Sequence, residues 1–253
     1  MCGRTLTVSQ LQHTDDDMIP GIEIEPEAWT PIRNEVFTEI LRTLEERCSA
    51  ALFLVMYDRA YHSRSRLLAA TVAELGRWTG INARTVTKCL DELLQQKLVR
   101  QVGKGVNRSK TRRPVWKVPS ATIDPKREGN WTPVPRNLIL NYVPAYRNAV
   151  LLPLLIYHQN MNKLNYCWVG VPALSKRLKW SETRVNESLR YMYDKENWRS
   201  LHPDLPWPLR CKVVRQNGQS RRRFSVLAIE YEGSGKKAKM RLSKAFRWAF
   251  DLL

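Results

Sequence analysis

The amino-acid sequence predicts an α+β, mainly helical fold in which one module occurs twice. One observation is a repeated motif: Trp-Thr-Pro-Ile-Arg-Asn at 29–34 returns as Trp-Thr-Pro-Val-Pro-Arg-Asn at 131–137. A second is that each copy precedes stretches whose apolar residues recur at helical spacing. A third is that a β-prone, base-rich segment ends each series. With 253 residues, of which 43% are hydrophobic, the chain is long enough for two small domains.

Two candidate helices follow the first copy of the motif. They are NEVFTEILRTL at 34–44 and the more apolar SAALFLVMYDRAYH at 49–62. The second has three apolar residues on one face at helical spacing: Leu52, Val55 and Met56. We therefore expect 49–62 to contribute a helix to the core of the module.

A helix-turn-helix is predicted for TVAELGRWTGINARTVTKCLDELLQQKLV at 71–99. The first helix runs from Val72 to Trp78, and Gly80 marks the turn. Asn82 is the expected N-cap of the second helix, because its side chain accepts a backbone N–H of the first turn. One side of that helix is an apolar stripe of Val86, Leu90 and Leu93. The opposite side, available to a partner, carries Arg84, Lys88 and Gln95.

The second module repeats this order after its own copy of the motif. An apolar helix is predicted for NAVLLPLLIYHQNM at 148–161, and a second helix-turn-helix lies within 170–198, with Ser181 as its N-cap. An offset of 99 residues places apolar on apolar at the core-facing points: Val171 on Val72, Leu174 on Leu75, Val185 on Val86, Leu189 on Leu90 and Met192 on Leu93.

Each helix-turn-helix is followed by a basic stretch with strand character. Residues 99–119 hold seven Lys or Arg and no acid, and residues 209–229 hold six and no acid. Asn217-Gly218 is a favoured hairpin turn in the second stretch. A helix-turn-helix followed by a two-stranded ribbon with a basic tip is a winged helix, and the predicted tips are 104–113 and 215–223. The predicted fold is two tandem winged helix-turn-helix domains.

The expected domain organisation follows from these elements. It comprises an acidic flexible leader at 1–27, a first winged-helix domain at 28–119, a linker at 120–130, a second winged-helix domain at 131–232 and a basic C-terminal helix at 233–253. The apolar side of that last helix is expected to contain Met240, Ala245, Phe246, Ala249 and Phe250. The helix either docks on the second domain or contacts a partner.

Net charge is the strongest compositional signal. The chain has 42 Lys and Arg against 24 Asp and Glu, a formal charge of +18. Residues 1–46 hold 10 acids and 3 bases, so residues 47–253 carry 39 bases and 14 acids, or +25. Such an excess predicts a polyanionic partner, usually nucleic acid, through phosphate neutralisation and counterion release. The alternative is a basic surface that serves only solubility.

Other classes of protein are not indicated. The five cysteines form no Cys-x-x-Cys pair, so neither a zinc site nor a disulfide framework is predicted, and no cofactor is expected. The longest apolar runs are shorter than the roughly 20 residues that span a membrane, and no secretion signal opens the chain, so we expect a cytoplasmic protein. No phosphate-binding loop, nucleophile motif or carboxylate cluster for magnesium occurs, so no catalytic residues are expected.

The first module resembles the N-terminal domain of phage replication protein O and related helix-turn-helix replication proteins. The residues that carry the resemblance are WTPIRNEVF, SAALFLVMYDRAYH and the helix-turn-helix at 71–99. Two such modules in one chain are similar to plasmid replication initiators, whose tandem modules bind origin repeats. The second module departs from the pattern through Pro153 in its apolar helix and the insertion YDKENWRSLHPDLPWPL at 193–209.

The resemblance implies recognition of double-stranded DNA at an origin or an operator. The recognition helix would lie in the major groove and the wings on phosphates. In the first module the expected DNA-binding residues are Asn82, Arg84, Thr85, Thr87, Lys88, Lys104, Arg108, Lys110, Arg112 and Arg113. In the second they are Thr183, Arg184, Arg190, Arg215, Arg221, Arg222 and Arg223.

Several functions remain open at this point. Replication initiation for a plasmid, phage or other mobile element is the first, and transcriptional regulation of such an element as a repressor is the second. A third is an adaptor that recruits a helicase or another replication protein. The second module has Glu187 where the first has Lys88, which weakens attraction to phosphate. It is therefore expected either to bind DNA, or to dimerise or brace the first module.

Overall fold

A computed structural model describes residues 6–7, 23–24, 29–40, 43–44, 48–106, 112–122, 131–140, 143, 170–201, 203, 209–216, 219–226, 229–232 and 239–242. These residues form a mixed α+β structure with small antiparallel sheets, which agrees with the predicted α+β class. The chain divides into two compact units. The central unit is Thr30–Leu151, and the terminal unit combines Met1–Trp29 with Leu152–Leu253.

The strands and helices are numbered in chain order. The first are β1 (Leu6–Thr7), β2 (Glu23–Ile24), β3 (Trp29–Arg33), α1 (Ser49–His62), β4 (Leu67–Ala69), α2 (Val72–Thr79), α3 (Ala83–Gln95), β5 (Arg100–Val106) and β6 (Arg112–Lys117). They continue with β7 (Trp131–Pro135), α4 (Arg136–Leu140), α5 (Val171–Leu178), α6 (Glu182–Tyr193), α7 (Lys195–Leu201), β8 (Leu209–Gln216), β9 (Gln219–Val226), β10 (Ile229–Glu232) and β11 (Lys239–Leu242). A π-helical turn at Val36–Ile40 lies within the stretch predicted as the first helix.

Helix α1 is the core of the central unit. Its bounds confirm the predicted helix at 49–62. Every residue from Ala50 to Tyr57 is buried, not only the predicted apolar face, because α2, α3, α4 and β4 all pack around it. A helix buried on all sides requires apolar or small residues on all sides, and the sequence from 50 to 57 supplies them.

Local signals define the α2–α3 pair. Thr71 and Glu74 form a capping box at the start of α2: Glu74 N–H donates to Thr71 Oγ1 at 3.2 Å, and Thr71 N–H donates to Glu74 Oε2 at 2.9 Å. Gly80 ends α2 in the left-handed conformation with φ 66°. The backbone approaches closely at Gly76, where a Cβ would lie 2.7 Å from the carbonyl oxygen of Ile81. Both predicted helices are confirmed, and α2 extends one residue further, to Thr79.

The central unit also contains a three-stranded antiparallel sheet of β4, β5 and β6. Its order is β4-β6-β5, so the strand before the helix pair lies beside the last strand of the ribbon. Trp116 on β6 is buried and donates its indole N–H to the carbonyl oxygen of Ala70 at 2.9 Å. The sheet is thereby tied to the residue that leads into α2.

The second copy of the Trp-Thr-Pro motif lies in the central unit. It forms β7, which pairs with β3, the strand of the first copy. Thr132 Oγ1 on β7 donates to Oδ1 of Asn34, the residue directly after β3, at 2.7 Å. The strands of both copies therefore pair in one sheet, and the boundary between the two compact units falls at Leu151 and Leu152.

A buried carboxylate connects both copies of the motif with α1. Asp58 is fully buried and accepts a hydrogen bond from Thr30 Oγ1. It also accepts from Arg136, whose Nε lies 3.1 Å from Oδ1 and whose Nη2 lies 3.2 Å from Oδ2. His62 Nε2 is 3.1 Å from Thr30 Oγ1. A charge is buried at tolerable cost only when it is paired and hydrogen-bonded, and these contacts satisfy that requirement.

The terminal unit repeats the helix pair at the offset of 99 residues that the sequence predicts. Helices α5 and α6 begin 99 residues after α2 and α3. Lys179 ends α5 in the left-handed conformation with φ 53°, at the position that corresponds to Gly80. Ser181 caps α6 by accepting the backbone N–H of Arg184, which confirms the predicted cap. The same backbone hydrogen bond closes both turns, from Ile81 to Gly76 and from Trp180 to Ser175.

A long hairpin follows this second helix pair. β8 and β9 pair from Leu209 opposite Val226 to Gln216 opposite Gln219, which leaves Asn217-Gly218 as the connection and confirms a hairpin at the predicted place. Helix α7 lies in the insertion before the hairpin. The apolar helix expected at 148–161 lies outside the described residues.

The segments at the two ends of the chain differ in part from expectation. Within the leader, Leu6–Thr7 pairs with Glu23–Ile24. The prediction of a basic C-terminal helix at 233–253 is wrong at Lys239–Leu242, which form strand β11, antiparallel to β10. Pairing puts Met240 opposite Tyr231 and Leu242 opposite Ile229, so alternation of apolar and basic residues outweighs the helical spacing at these four positions.

The two arginines of the motif allow a matched test of the buried ion pair. We expect Arg136→Ala to lower the free energy of unfolding by about 3 to 5 kcal/mol, because Asp58 would remain buried without its cation. Arg33→Ala removes the corresponding arginine of the first copy, whose partner Glu35 is 35% exposed, and should cost at most about 1 kcal/mol. Urea unfolding followed by circular dichroism measures both. Equal costs would contradict the role assigned to Asp58.

Candidate nucleic-acid interface

The outward side of α3 exposes two cations one turn apart. Val86, Cys89, Leu90 and Leu93 are buried and fix the rotation of the helix. Arg84 and Lys88 are exposed, as the sequence predicts, and neither has an ion-pair partner among the described residues. Their spacing places both on one face of the helix. The side chains are therefore oriented together by the packing of the opposite face.

The neighbouring polar residues of α3 serve the helix itself. Asn82 is exposed, and its Oδ1 accepts the backbone N–H of Thr85 at 2.9 Å. Thr87 is exposed, and its hydroxyl donates to the carbonyl oxygen of Ala83 at 3.0 Å. Thr85 is half-buried. Of the five residues predicted on this helix, Arg84 and Lys88 are thus the exposed ones whose side chains do not hydrogen-bond to the backbone of the helix.

An acidic residue limits the cationic face. Asp91 is exposed and follows Lys88 by three positions, so it lies on the same side of α3. The positive potential is therefore confined to the first two turns of the helix. Asp91 has the same helical spacing as Arg84 and Lys88, so the sequence alone predicts that it lies on this face of α3.

The first ribbon holds one of its predicted DNA-binding arginines against helix α2. Arg113 forms an ion pair with Glu74, the carboxylate of the capping box. The hydrogen bond from the Thr71 backbone keeps the pKa of Glu74 below its usual value, and Arg113 contributes to the lowering. Arg113 therefore anchors the ribbon to the helix pair, a contact that sequence reasoning does not find.

Two other predicted residues of the first ribbon, Lys104 and Arg112, are strand positions towards the end of β5 and the start of β6. Lys104 is a strand position on β5, opposite Pro114, and Arg112 is one on β6, opposite Val106. This register makes 107–111 the connection between the strands. Arg108 and Lys110, both in that connection, lie outside the described residues.

Helix α6 presents a different pattern of charge from α3. Thr183, Glu187 and Arg190 are exposed at the positions that correspond to Arg84, Lys88 and Asp91. Arg184 is half-buried, with its guanidinium 4.1 Å from the centre of the Trp180 ring. Its cation therefore stacks on the preceding turn. The sign of the charge is reversed at two of the three corresponding positions, so the two helices offer different surfaces.

The second ribbon packs one face against α6. Phe224 and Leu209 are buried, and Arg222 donates to Asn186 Oδ1 on α6 at 3.0 Å. Arg222 is consequently placed beside the helix. The remaining predicted arginines of this wing, Arg215, Arg221 and Arg223, are strand positions opposite Ser220, Val214 and Lys212.

Sequence reasoning missed four exposed bases on the two ribbons. They lie outside the predicted tips: Arg100, Lys117, Arg210 and Lys212. The signal was available as alternation. In LRCKVV the bases alternate with apolar residues, and in VWKV Lys117 follows the buried Trp116.

Comparisons with known proteins find no relative. No protein-family model matches the chain, and no curated protein or solved structure is significantly similar to it. Among the helices that the structure describes, none has the length and apolar character needed to cross a membrane. The described residues also contain no group of three or more His, Cys, Asp or Glu side chains placed to hold a metal ion.

The lowered pKa of Glu74 gives a pH-dependent prediction. A carboxyl group whose pKa is depressed in the folded state stabilises the fold above its unfolded pKa of about 4.3, and this contribution is lost as the pH falls towards the folded value. Glu74→Gln should therefore lower stability by about 1 kcal/mol at pH 7, and the difference from the unchanged protein should shrink below about pH 4.3. Thermal unfolding between pH 3 and 7 measures this, and a difference independent of pH would contradict it.

Proposed function

We propose that this protein is a non-catalytic, sequence-specific double-stranded DNA-binding protein that initiates replication of a plasmid, phage or other mobile element. The observation that carries the proposal is the cation pair on α3. Arg84 and Lys88 are exposed together on a helix whose opposite face is fixed in the core. This is the arrangement required of a helix that enters the major groove and contacts base edges.

The order of elements supports two winged helices. In the central unit α1, β4, the α2–α3 pair and the β5–β6 ribbon follow one another, and β4 completes the sheet beside β6. The terminal unit has a helix pair with the same internal spacing, followed by the β8–β9 hairpin. We infer that α3 is the recognition helix of the first domain and that α6 is its counterpart in the second.

The contacts divide into reading and positioning. Arg84 lies in the first turn of α3, where residues of a recognition helix contact base edges, and an arginine there pairs with the two acceptors of guanine. Lys104, Arg108, Lys110 and Arg112 neutralise phosphates near the tip of the wing. Arg113 holds the wing in position through Glu74.

The face of α6 supports a second candidate function. With Glu187 and Arg190 in place of a cation pair, it suits a protein partner at least as well as a phosphate backbone. A helicase, another replication protein or a second copy of this chain would be held there. In that case the protein is an adaptor, and its complex should survive salt concentrations that abolish DNA binding.

Site selection from random duplexes tests DNA recognition directly. The selected duplex should bind with a logarithmic affinity that falls linearly with log salt, at a slope near −0.9 for each phosphate neutralised. If about 6 to 10 phosphates are contacted, the affinity should drop by about 10³ to 10⁵ between 50 and 200 mM salt. A dissociation constant independent of salt would rule out the electrostatic contacts proposed here.

Two substitutions separate reading from positioning. Arg84→Ala should cost roughly 1 to 3 kcal/mol on the selected duplex and relax the preference at one or two base pairs. Arg112→Ala should weaken selected and random duplexes about equally. Gln96→Ala, an exposed change just after α3 and outside its partner-facing side, should leave both unchanged. If Arg84→Ala and Arg112→Ala act alike on the two duplexes, α3 is not the reading helix.

Replication and transcription are distinguished in cells. The selected duplex is placed on a plasmid that cannot replicate alone, and separately in front of a reporter promoter. Plasmid maintenance that depends on this chain and on Arg84 supports initiation. Repression of the reporter without plasmid maintenance assigns the protein to transcriptional regulation of the element.

A further inference from the structure

Each ribbon has an outward face that carries directly opposed cations. In the central unit Val99 and Trp116 are buried, whereas the adjacent Arg100 and Lys117 are exposed. The antiparallel register places Arg100 directly opposite Lys117. Because successive strand residues point to opposite faces, these two bases share the side that is turned away from the helices.

The terminal unit has the same feature. Leu209 is buried, and Arg210 and Lys212 are exposed at alternating positions of β8. Lys212 is directly opposite position 223, an arginine, and the same face includes position 221, also an arginine. A like-charge pair thus occurs on the outward face of both ribbons.

Opposed like charges are unfavourable in the protein alone. Two cations directly across an antiparallel pair repel one another and destabilise the ribbon. Neither ribbon contains an acid that could offset this, since 99–119 and 209–229 have no Asp or Glu. None of the four exposed bases has an ion-pair partner among the described residues. A polyanion bound to the face would replace the repulsion by attraction.

We propose that these two ribbon faces, formed by Arg100 and Lys117 and by Arg210 and Lys212 with the arginine positions 221 and 223, bind the phosphate backbone of duplex DNA without reading its sequence. The inference rests on the proposed DNA-binding function and adds four bases, Arg100, Lys117, Arg210 and Lys212, that lie outside α3 and outside the predicted wing tips. Residues two apart on a strand, such as Arg210 and Lys212, are about 6.8 Å apart, and each DNA strand carries a charge about every 3.4 Å of axis. The two side chains are therefore spaced to meet separate phosphates.

Charge-matched variants of the full chain test the proposal. One variant combines Arg210→Gln with Lys212→Gln, and another combines Arg100→Gln with Lys117→Gln, which keeps polar side chains of intermediate length on the strands. The control combines Lys195→Gln with Arg199→Gln, which removes two exposed cations from α7 of the terminal unit. The probe is a fluorescent 30-base-pair duplex of random sequence, titrated at several salt concentrations.

Each ribbon variant should weaken binding about 10-fold and reduce the salt slope by nearly 2, because each lost phosphate contact changes the slope by about 0.9. The control should leave both unchanged. An equal loss in the control would attribute the effect to net charge and overturn the proposal. Unchanged DNA binding with weaker binding of polyglutamate would also overturn it, by assigning the face to an acidic protein.

The same experiment separates this inference from the proposed function. If both ribbon variants bind DNA normally while Arg84→Ala loses the selected site, the ribbon faces are not DNA contacts but the DNA-binding function stands. If the unchanged chain binds no duplex at all, the proposed function itself fails.

The stability of Lys212→Gln provides a readout without DNA. Its Tm should rise at low salt, on the order of 1 °C, because the repulsion from position 223 is relieved, and the rise should vanish at high salt, where the charges are screened. A lower Tm at low salt would contradict the like-charge argument.

Discussion

The buried carboxylate of Asp58 is the constraint on which the architecture of the central unit depends. It lies on α1, the helix around which the other elements of the unit pack. Its charge is compensated by Arg136 from the second copy of the motif, and it accepts a hydrogen bond from Thr30 of the first copy. Removal of Arg136 would leave an uncompensated charge in an apolar interior, at a cost of several kcal/mol. The first module therefore includes the strand that the sequence pattern assigns to the next one.

A repeated motif does not imply repeated contacts. Thr30 donates to the buried Asp58, whereas Thr132 donates to Asn34, the residue directly after β3. Arg33 ends β3 and pairs with the partly exposed Glu35, but the added Pro135 moves Arg136 onto the first turn of α4, where it reaches Asp58. The second copy, with its one inserted residue, therefore forms an ion pair that the core requires, whereas the ion pair of the first copy contributes little to stability.

What could be predicted from sequence is what local interactions determine. The caps at Asn82 and Ser181, and the apolar stripe of α3, depend on residues within one or two turns, and all are found where the sequence places them. The pairing of β3 with β7 and the contact between Asp58 and Arg136, 78 positions apart, are long-range interactions that no periodicity reveals. The sequence at Lys239–Leu242 fits both a helical and an alternating pattern, and pairing with β10 stabilises the strand.

The candidate site shows the same division between local and long-range effects. The exposure of Arg84 and Lys88 follows from helical spacing, but the engagement of Arg113 by Glu74 depends on how the ribbon meets α2. That engagement makes the capping box serve two purposes, because the carboxylate that starts α2 also fixes the ribbon that follows α3. If α3 reads base edges, its wing is held relative to the helix pair before DNA arrives, so little ordering remains to oppose binding. In the terminal unit the corresponding contact is the hydrogen bond from Arg222 on the ribbon to Asn186 on α6. A substitution of Asn186 would therefore change both the surface of α6 and the position of the β8–β9 ribbon.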